Sequence, residues 1–145
     1  MAAPEPPAPR PRDRLGRPLT PAVDMSAADT SAVDSSAIGP PVADVTSCSD
    51  TDAWRIAVDY ADAGLPFHAH EVCESRWRIS SSTADRHLWK ALAQWGAALT
   101  HEARGNAVGA RSLAGACSHA IAGLEATPGW VDLDRVRADC DRLKG

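Results

Sequence analysis

The four cysteines, Cys48, Cys73, Cys117 and Cys140, include no CxxC pair and no close neighbours in the chain. Their spacing excludes a zinc knuckle and a compact disulfide framework, and reads as reduced thiols in a cytoplasmic protein. No apolar run approaches the roughly 20 residues that a membrane-spanning helix needs. The N-terminus carries Pro and Arg where a secretory leader has its apolar core. A basic surplus is missing too: the formal net charge of -4 argues against nucleic acid or a membrane surface as partner. With one Phe and one Tyr, the core falls to five Trp and an Ala-rich set within an apolar fraction of 44%. Nothing alternates with period two over the length of a strand. Neither a Ser/His/Asp set nor a Gly-rich phosphate loop is present.

What is there falls into two parts, residues 1–49 and 50–145. Nine of the eleven prolines precede Val42, and between Pro21 and Gly39 a short pattern recurs as AVDMS, AADTS, AVDSS and AIG. Small side chains in low-complexity sequence do not offset the entropy of ordering, so residues 1–49 are expected to be a disordered Pro/Ala/Ser-rich tail. Arg10, Arg12, Arg14 and Arg17 form a small basic patch within it, a solvated segment or a docking element for an acidic partner. On this reading a chain starting at Ser49 keeps the thermal midpoint of the whole protein.

The 96 residues from Asp50 onward (145 less 49) suffice for one domain with a core and read as an all-α bundle of about five helices. Asp50 or Thr51 can cap a first helix over about 52–63 that Gly64 ends. Pro66 suits the first turn of a second helix, to about Ser80. A third over 84–104 carries Leu88, Leu92, Trp95 and Leu99 at three- and four-residue steps. Asn106 caps a fourth to about Ala126, with Ala110, Leu113, Ala114, Cys117, Ile121 and Leu124 as its stripe. Thr127, Pro128 and Gly129 break the chain, and Asp132 caps a last helix with Leu133, Val136, Cys140 and Leu143.

Chemistry concentrates in Phe67–Arg78, FHAHEVCESRWR. At about 100° per residue, His70, Glu74 and Arg78 stack at i, i+4 and i+8, with Glu71, Phe67 and Trp77 on the same broad face. Short connections make successive helices antiparallel neighbours, so Gln94 and His101 of the third helix come near His70, with Ala97 and Ala98 leaving room. The candidate site is therefore His70, Glu71, Glu74, Trp77, Arg78, Gln94, His101 and the capping Asn106. Imidazole and carboxylate together suit Zn, Mn or Fe, with His70, Glu74 and His101 as the metal candidates. His68, His87 and His119 are expected to be exposed or capping, and Cys73 and Cys117 to lie in the core.

FHAHEVCESRWR, followed by LWKALAQWGAALTHEARGNAVGA, resembles the DUF309 family of small bacterial and archaeal helical proteins. The resemblance rests on HxxxExxW, met by His70, Glu74 and Trp77. Further along it rests on Gln94, His101, Gly105, Asn106, Gly109 and Ala110, and it covers about Trp54–Leu124. It implies an all-helical fold and a metal-binding or active site, and it supplies no reaction, since the family is defined by its unknown function.

Three readings of His70 and Glu74 are open: a surface pair worth a few tenths of a kcal/mol, a buried structural network closed by Trp77 and Arg78, and a ligand site. Two functional classes follow from the last. One is a binding module whose polar inter-helix groove fixes a small anionic or peptide ligand, or another protein, through Arg78, Gln94 and the histidines. The other is a metal-dependent enzyme, such as a hydrolase, with Glu71 or Glu74 as general base.

Overall fold

A computed structural model describes residues 40–145. They form five α-helices: α1, Asp50–Asp62; α2, Pro66–Ile79; α3, Thr83–Ala103; α4, Ala107–Ala122; and α5, Leu133–Lys144. Among the described residues there is no strand, and no helix is long and apolar enough to cross a membrane. The basic patch and the five-residue pattern lie outside the described residues.

Side-chain caps start four of the helices. Ser49, Ser82, Asn106 and Asp132 each accept a hydrogen bond from the backbone N–H three residues on, at 2.9–3.1 Å. α2 has no such cap and begins instead with Pro66, whose missing N–H needs no partner there. Gly64 and Gly105 take φ of +76° and +77° just after α1 and α3, the left-handed conformation that stops a helix cleanly. Two boundaries differ from expectation. Ser49 rather than Asp50 or Thr51 caps α1, and α4 ends at Ala122, four residues early, where the Gly123 N–H turns back onto Ala120 O and His119 O.

Each helix packs on the next, and α5 returns to α3. α3 is the innermost, with Leu88, Trp89, Ala91, Leu92, Ala93, Trp95 and Ala98 all buried. α2 buries Ala69, Val72 and Cys73, one stripe at i, i+3, i+4, and turns its charged side outward. The indole of Trp95 meets Trp54 of α1 with ring centres 5.3 Å apart and donates to Asp139 of α5 at 2.9 Å. Arg135 of α5 holds Asp139 at 3.0 Å and Asp62 of α1 at 2.8 Å. One aromatic and one arginine thus lock three helices together.

Residues 40–49, expected in the tail, lie against the bundle. Val45 is 1% exposed and belongs to the core. Tyr60 Oη accepts from Ala43 N at 3.0 Å, and the carbonyls of Val45 and Cys48 each accept from Arg76 Nη1 at 3.1 Å. His68, expected to be exposed or capping, is 4% exposed: it packs on Tyr60 and hydrogen-bonds Pro40 O. The physical reason is Arg76. Its side chain is only 13% exposed, and the carbonyls of this strap, residues 40–49, together with Asp50 satisfy its two terminal nitrogens, while its buried Nε has no partner. The same Asp50 Oδ1 accepts from Trp89 Nε1 at 3.2 Å, and Trp89 stacks on Trp130 at 5.0 Å.

The four cysteines are free, and Cys73, Cys117 and Cys140 are buried as their stripes imply. Burial pushes the Cys73 thiol well above its ordinary range. A hydrogen bond to Cys140, with burial, does the same to Cys117.

Two outcomes are expected. A chain starting at Ser49 should be less stable in urea than one starting at Pro40 by about 3 kcal/mol or more, from the lost Val45 burial and the stranded Arg76 donors. Equal stabilities would place the strap in solvent. In the folded protein at about pH 8, maleimide should label Cys48 and spare Cys73 and Cys117, which lack both thiolate and access; mass spectrometry after urea should then count four thiols. Fast labelling of Cys73 in the folded state would contradict the burial.

Candidate functional site

The site is made by a close approach of α2 to α3. His70 lies against Ala93 and Gly96, and Arg76 lies over the Trp89 ring at 5.7 Å, so the two helices run antiparallel. A side-chain carbon on Gly96 would sit 2.7 Å from both Cα and N of His70, so only glycine admits the α2 backbone this near. That proximity lets the His70 ring reach back across the contact. Its Nδ1 is 2.9 Å from the carbonyl of Ala93, and because a carbonyl only accepts, Nδ1 carries the hydrogen. Nε2 faces the carboxylates: 3.0 Å from Glu74 Oε2 and 4.0 Å from Glu71 Oε1. The other Glu74 oxygen accepts from Arg78 Nη2 at 2.5 Å. One helical turn and the next thus align an imidazole, two carboxylates and a guanidinium.

These side chains open onto a cavity of about 410 Å³ between the helices. Phe67, His70, Glu71, Glu74 and Arg78 line it from α2. Ala97, Thr100 and His101, with Arg104 at the end of α3, line the opposite wall. Thr100 has its hydroxyl turned onto Gly96 O at 2.8 Å. His101 is oriented from α4: Asn106 Oδ1 is committed to the Gly109 N–H, so the amide end of Asn106 faces His101 Nδ1 at 3.0 Å. Nδ1 is then an acceptor, and in the neutral ring the hydrogen sits on Nε2. Gly109 makes room for this pair, since a Cβ there would lie 2.7 Å from Asn106 Nδ2 and 2.8 Å from His101 Nδ1.

The structure brings His70, Glu71, Glu74, Arg78 and His101 to one cavity, with Asn106 acting through His101. It does not bring Gln94 or Trp77 there. Gln94 is half-buried with its Oε1 enclosed and unpaired, and Trp77 packs on the hydrophobic core rather than covering the polar face. His101 stands across the cavity from the tight cluster, while Glu71 stands in it: ligating atoms of His70, Glu71 and Glu74 all lie within 4.8 Å of one another. His87 and His119 are exposed. Arg104, Thr100 and Gly96 were not singled out from the sequence. The signal for Arg104 was its i+3 and i+7 relation to His101 and Ala97, and for Gly96 an isolated glycine inside a long apolar helix.

Chemically, the cluster offers one nitrogen and two oxygens on one side of a cavity. Two donors about 2.1 Å from a common cation are roughly 3.0–3.4 Å apart, close to the His70–Glu74 spacing, while Glu71 stands farther off, 4.0 Å from His70 Nε2. Residues 54–113 match the family model described as a domain of unknown function, DUF309. That stretch, from α1 into α4, is similar to this family. No curated protein and no solved structure matches the chain.

Gly96→Ala should move the site more than any change of charge. The added carbon meets backbone, which cannot swing aside, so the helices must part at a loss of about 1–3 kcal/mol in urea unfolding. Unchanged stability would show that α2 can slide without strain.

Proposed function

We propose that the chain is a binding module whose inter-helix cavity holds a divalent cation on His70, Glu71 and Glu74. One observation carries the reading: His70 Nδ1 is committed to Ala93 O while Nε2 stands 3.0 Å from a carboxylate oxygen. A bare lone pair facing that oxygen is repelled, so the contact calls for a positive charge, either a proton on Nε2 or a cation shared by both groups. Glu71 favours the cation. One proton satisfies one carboxylate, whereas a dication uses both. An imidazole whose other nitrogen is held by a backbone carbonyl is also the usual arrangement of a metal ligand. The donor set suits Zn, Mn or Fe. Three protein ligands leave further positions open toward the cavity. His101, with its Nε2 protonated when neutral, acts here as a donor across the cavity rather than as a ligand.

The wider position of Glu71, 4.0 Å from His70 and facing the cavity, favours a second reading. A carboxylate so placed beside a metal-bound water is where the general base of a hydrolase would stand. Both readings begin with the metal.

Calorimetric titration of tag-free protein should find one equivalent of Mn²⁺ or Zn²⁺ bound, more weakly as pH falls, because the proton competes for Nε2. Glu74→Gln should lower that affinity by about tenfold or more, near 1.4 kcal/mol. Without metal, the same change should alter stability by no more than about 1 kcal/mol, since Arg78 is 69% exposed and the new amide can donate to His70 Nε2. Failure of every ion tried would defeat the proposal. A stability loss of about 3 kcal/mol in Glu74→Gln would make the glutamate a structural anchor instead.

A further inference from the structure

We infer that Cys140 and Cys117 form a peroxide-oxidised pair, with Cys140 the reacting sulfur and Cys117 the thiol that closes a disulfide between α5 and α4. The inference is independent of the metal. Both side chains are fully buried and belong to one core cluster, where α5 packs on α4. There the two thiols meet in a hydrogen bond. Their separation along the chain hides this pairing, which the turn between α4 and α5 creates.

The surroundings divide the roles. Cys140 Sγ takes a hydrogen bond from Cys117 and another from the Ser118 side chain, and Lys144 lies one turn further along α5. Together they lower its pKa against the opposing effects of burial and Asp139. Cys117 is the donor of the pair, and that bond, with burial, pushes its thiol up. Thiolate character therefore falls on Cys140, and the thiolate is the form that attacks peroxide. For Cys73, burial raises the thiol with no hydrogen bond to offset it. Cys48 spends its S–H on Val45 O.

Access is the second requirement. Cys140 sits on a helix of 12 residues, next to exposed Asp141 and Arg142. Short peripheral elements open locally at a lower free energy than the whole fold, and peroxide is uncharged and little larger than water. The Cys140 sulfur takes one peroxide oxygen as the O–O bond breaks. The hydroxide that leaves recovers the proton Cys140 had shed, and a sulfenic acid remains. Cys117 sulfur then attacks Cys140 sulfur, the S–O bond breaks, and the second hydroxide departs as water with the Cys117 proton. Two thiols lose two electrons, and one peroxide gains them to become two waters. The bond fastens the helix whose Asp139 and Arg142 hold Trp95 and Glu102 of α3.

The test treats the reduced full chain with hydrogen peroxide and blocks the remaining thiols with iodoacetamide in urea. Peptides are then mapped by mass spectrometry without reductant. The peptides of Cys117 and Cys140 should appear joined, two hydrogens lighter than the separate pair, and should part with dithiothreitol, while Cys73 stays alkylated. The urea midpoint should rise on oxidation and return on reduction, because the bond restricts the unfolded loop of residues 117–140. In Cys117→Ser a cyclic diketone probe should mark a sulfenic acid on Cys140. In Cys140→Ser the same probe should leave Cys117 unmarked. Peroxide that oxidises Cys48 while Cys117 and Cys140 stay free would overturn the pair, as would a bridge from Cys117 to Cys73. A midpoint that falls on oxidation would show that the fold does not accommodate the bond and would overturn it too. Marking of Cys117 in place of Cys140 would overturn the roles. The unaltered chain decides on the bridge even if neither variant folds.

Discussion

The approach of α2 to α3 at Gly96 is the constraint on which the site depends. Helix backbones are normally held apart by their side chains, and here one position has none, so His70 Cα and N occupy the place of a missing Cβ. The small residues around that point, Ala93 and Ala97, widen the contact into a seam. Along it, what α2 presents is decided by register. His70 meets a carbonyl, and six residues on Arg76 meets the face of Trp89. Trp95 turns to Trp54, while Trp89 sits under Arg76 and stacks on Trp130. Five tryptophans can therefore fill an Ala-rich bundle without forcing its two central helices apart.

Two ionic clusters on α2 show how the same residue types serve opposite ends. Arg76 is nearly enclosed, and its contacts are acceptors supplied by the chain: two strap carbonyls and Asp50, which also holds Trp89. Such a cluster is closed, and removing a partner strands a buried charge. The His70 cluster is open. It faces a cavity, and its outermost member, Arg78, is mostly in water. Helical spacing alone pointed to Arg78 as the charge that matters, because it completes the i, i+4, i+8 row. The arginine that orders the fold sits two residues earlier, off that row.

That difference marks what the sequence could and could not disclose. Helix number and order were legible because apolar stripes, Gly stops and caps such as Asn106 and Asp132 act within a few residues. The pairing of His70 with Glu74 was legible for the same local reason, and its nearness to His101 followed from antiparallel neighbours. The strap was not legible. Pro40 and Pro41 resemble the proline-rich stretch before them, and Val45 is a single buried side chain with no periodic neighbours to announce it. The exclusion of Gln94 and Trp77 was not legible either. Which side of a helix turns toward a cavity depends on crossing geometry, here fixed by a glycine nothing in the pattern tied to the site.

The family match from residue 54 to 113 contains every member of the cavity lining, and Asn106 and Gly109 behind it, while the braces lie outside. The end of α3 that carries His101 and Arg104 is closed by the N–H groups of Arg104, Gly105 and Asn106, which reach the carbonyls of Thr100, His101 and Glu102. α5 adds contacts from beyond the matched stretch. Arg142 binds both carboxylate oxygens of Glu102, the residue next to His101, and Trp95 is tied to Asp139. At the other end the strap closes over Arg76 and fixes α2. The cavity has one wall from each helix, and each wall is held by an element outside the matched stretch. Its width is therefore set jointly by Gly96 at the seam and by these two braces at its ends. A cation held by His70 and Glu74 would draw on that same rigidity, because donors that need not be ordered on binding lose little entropy when they close.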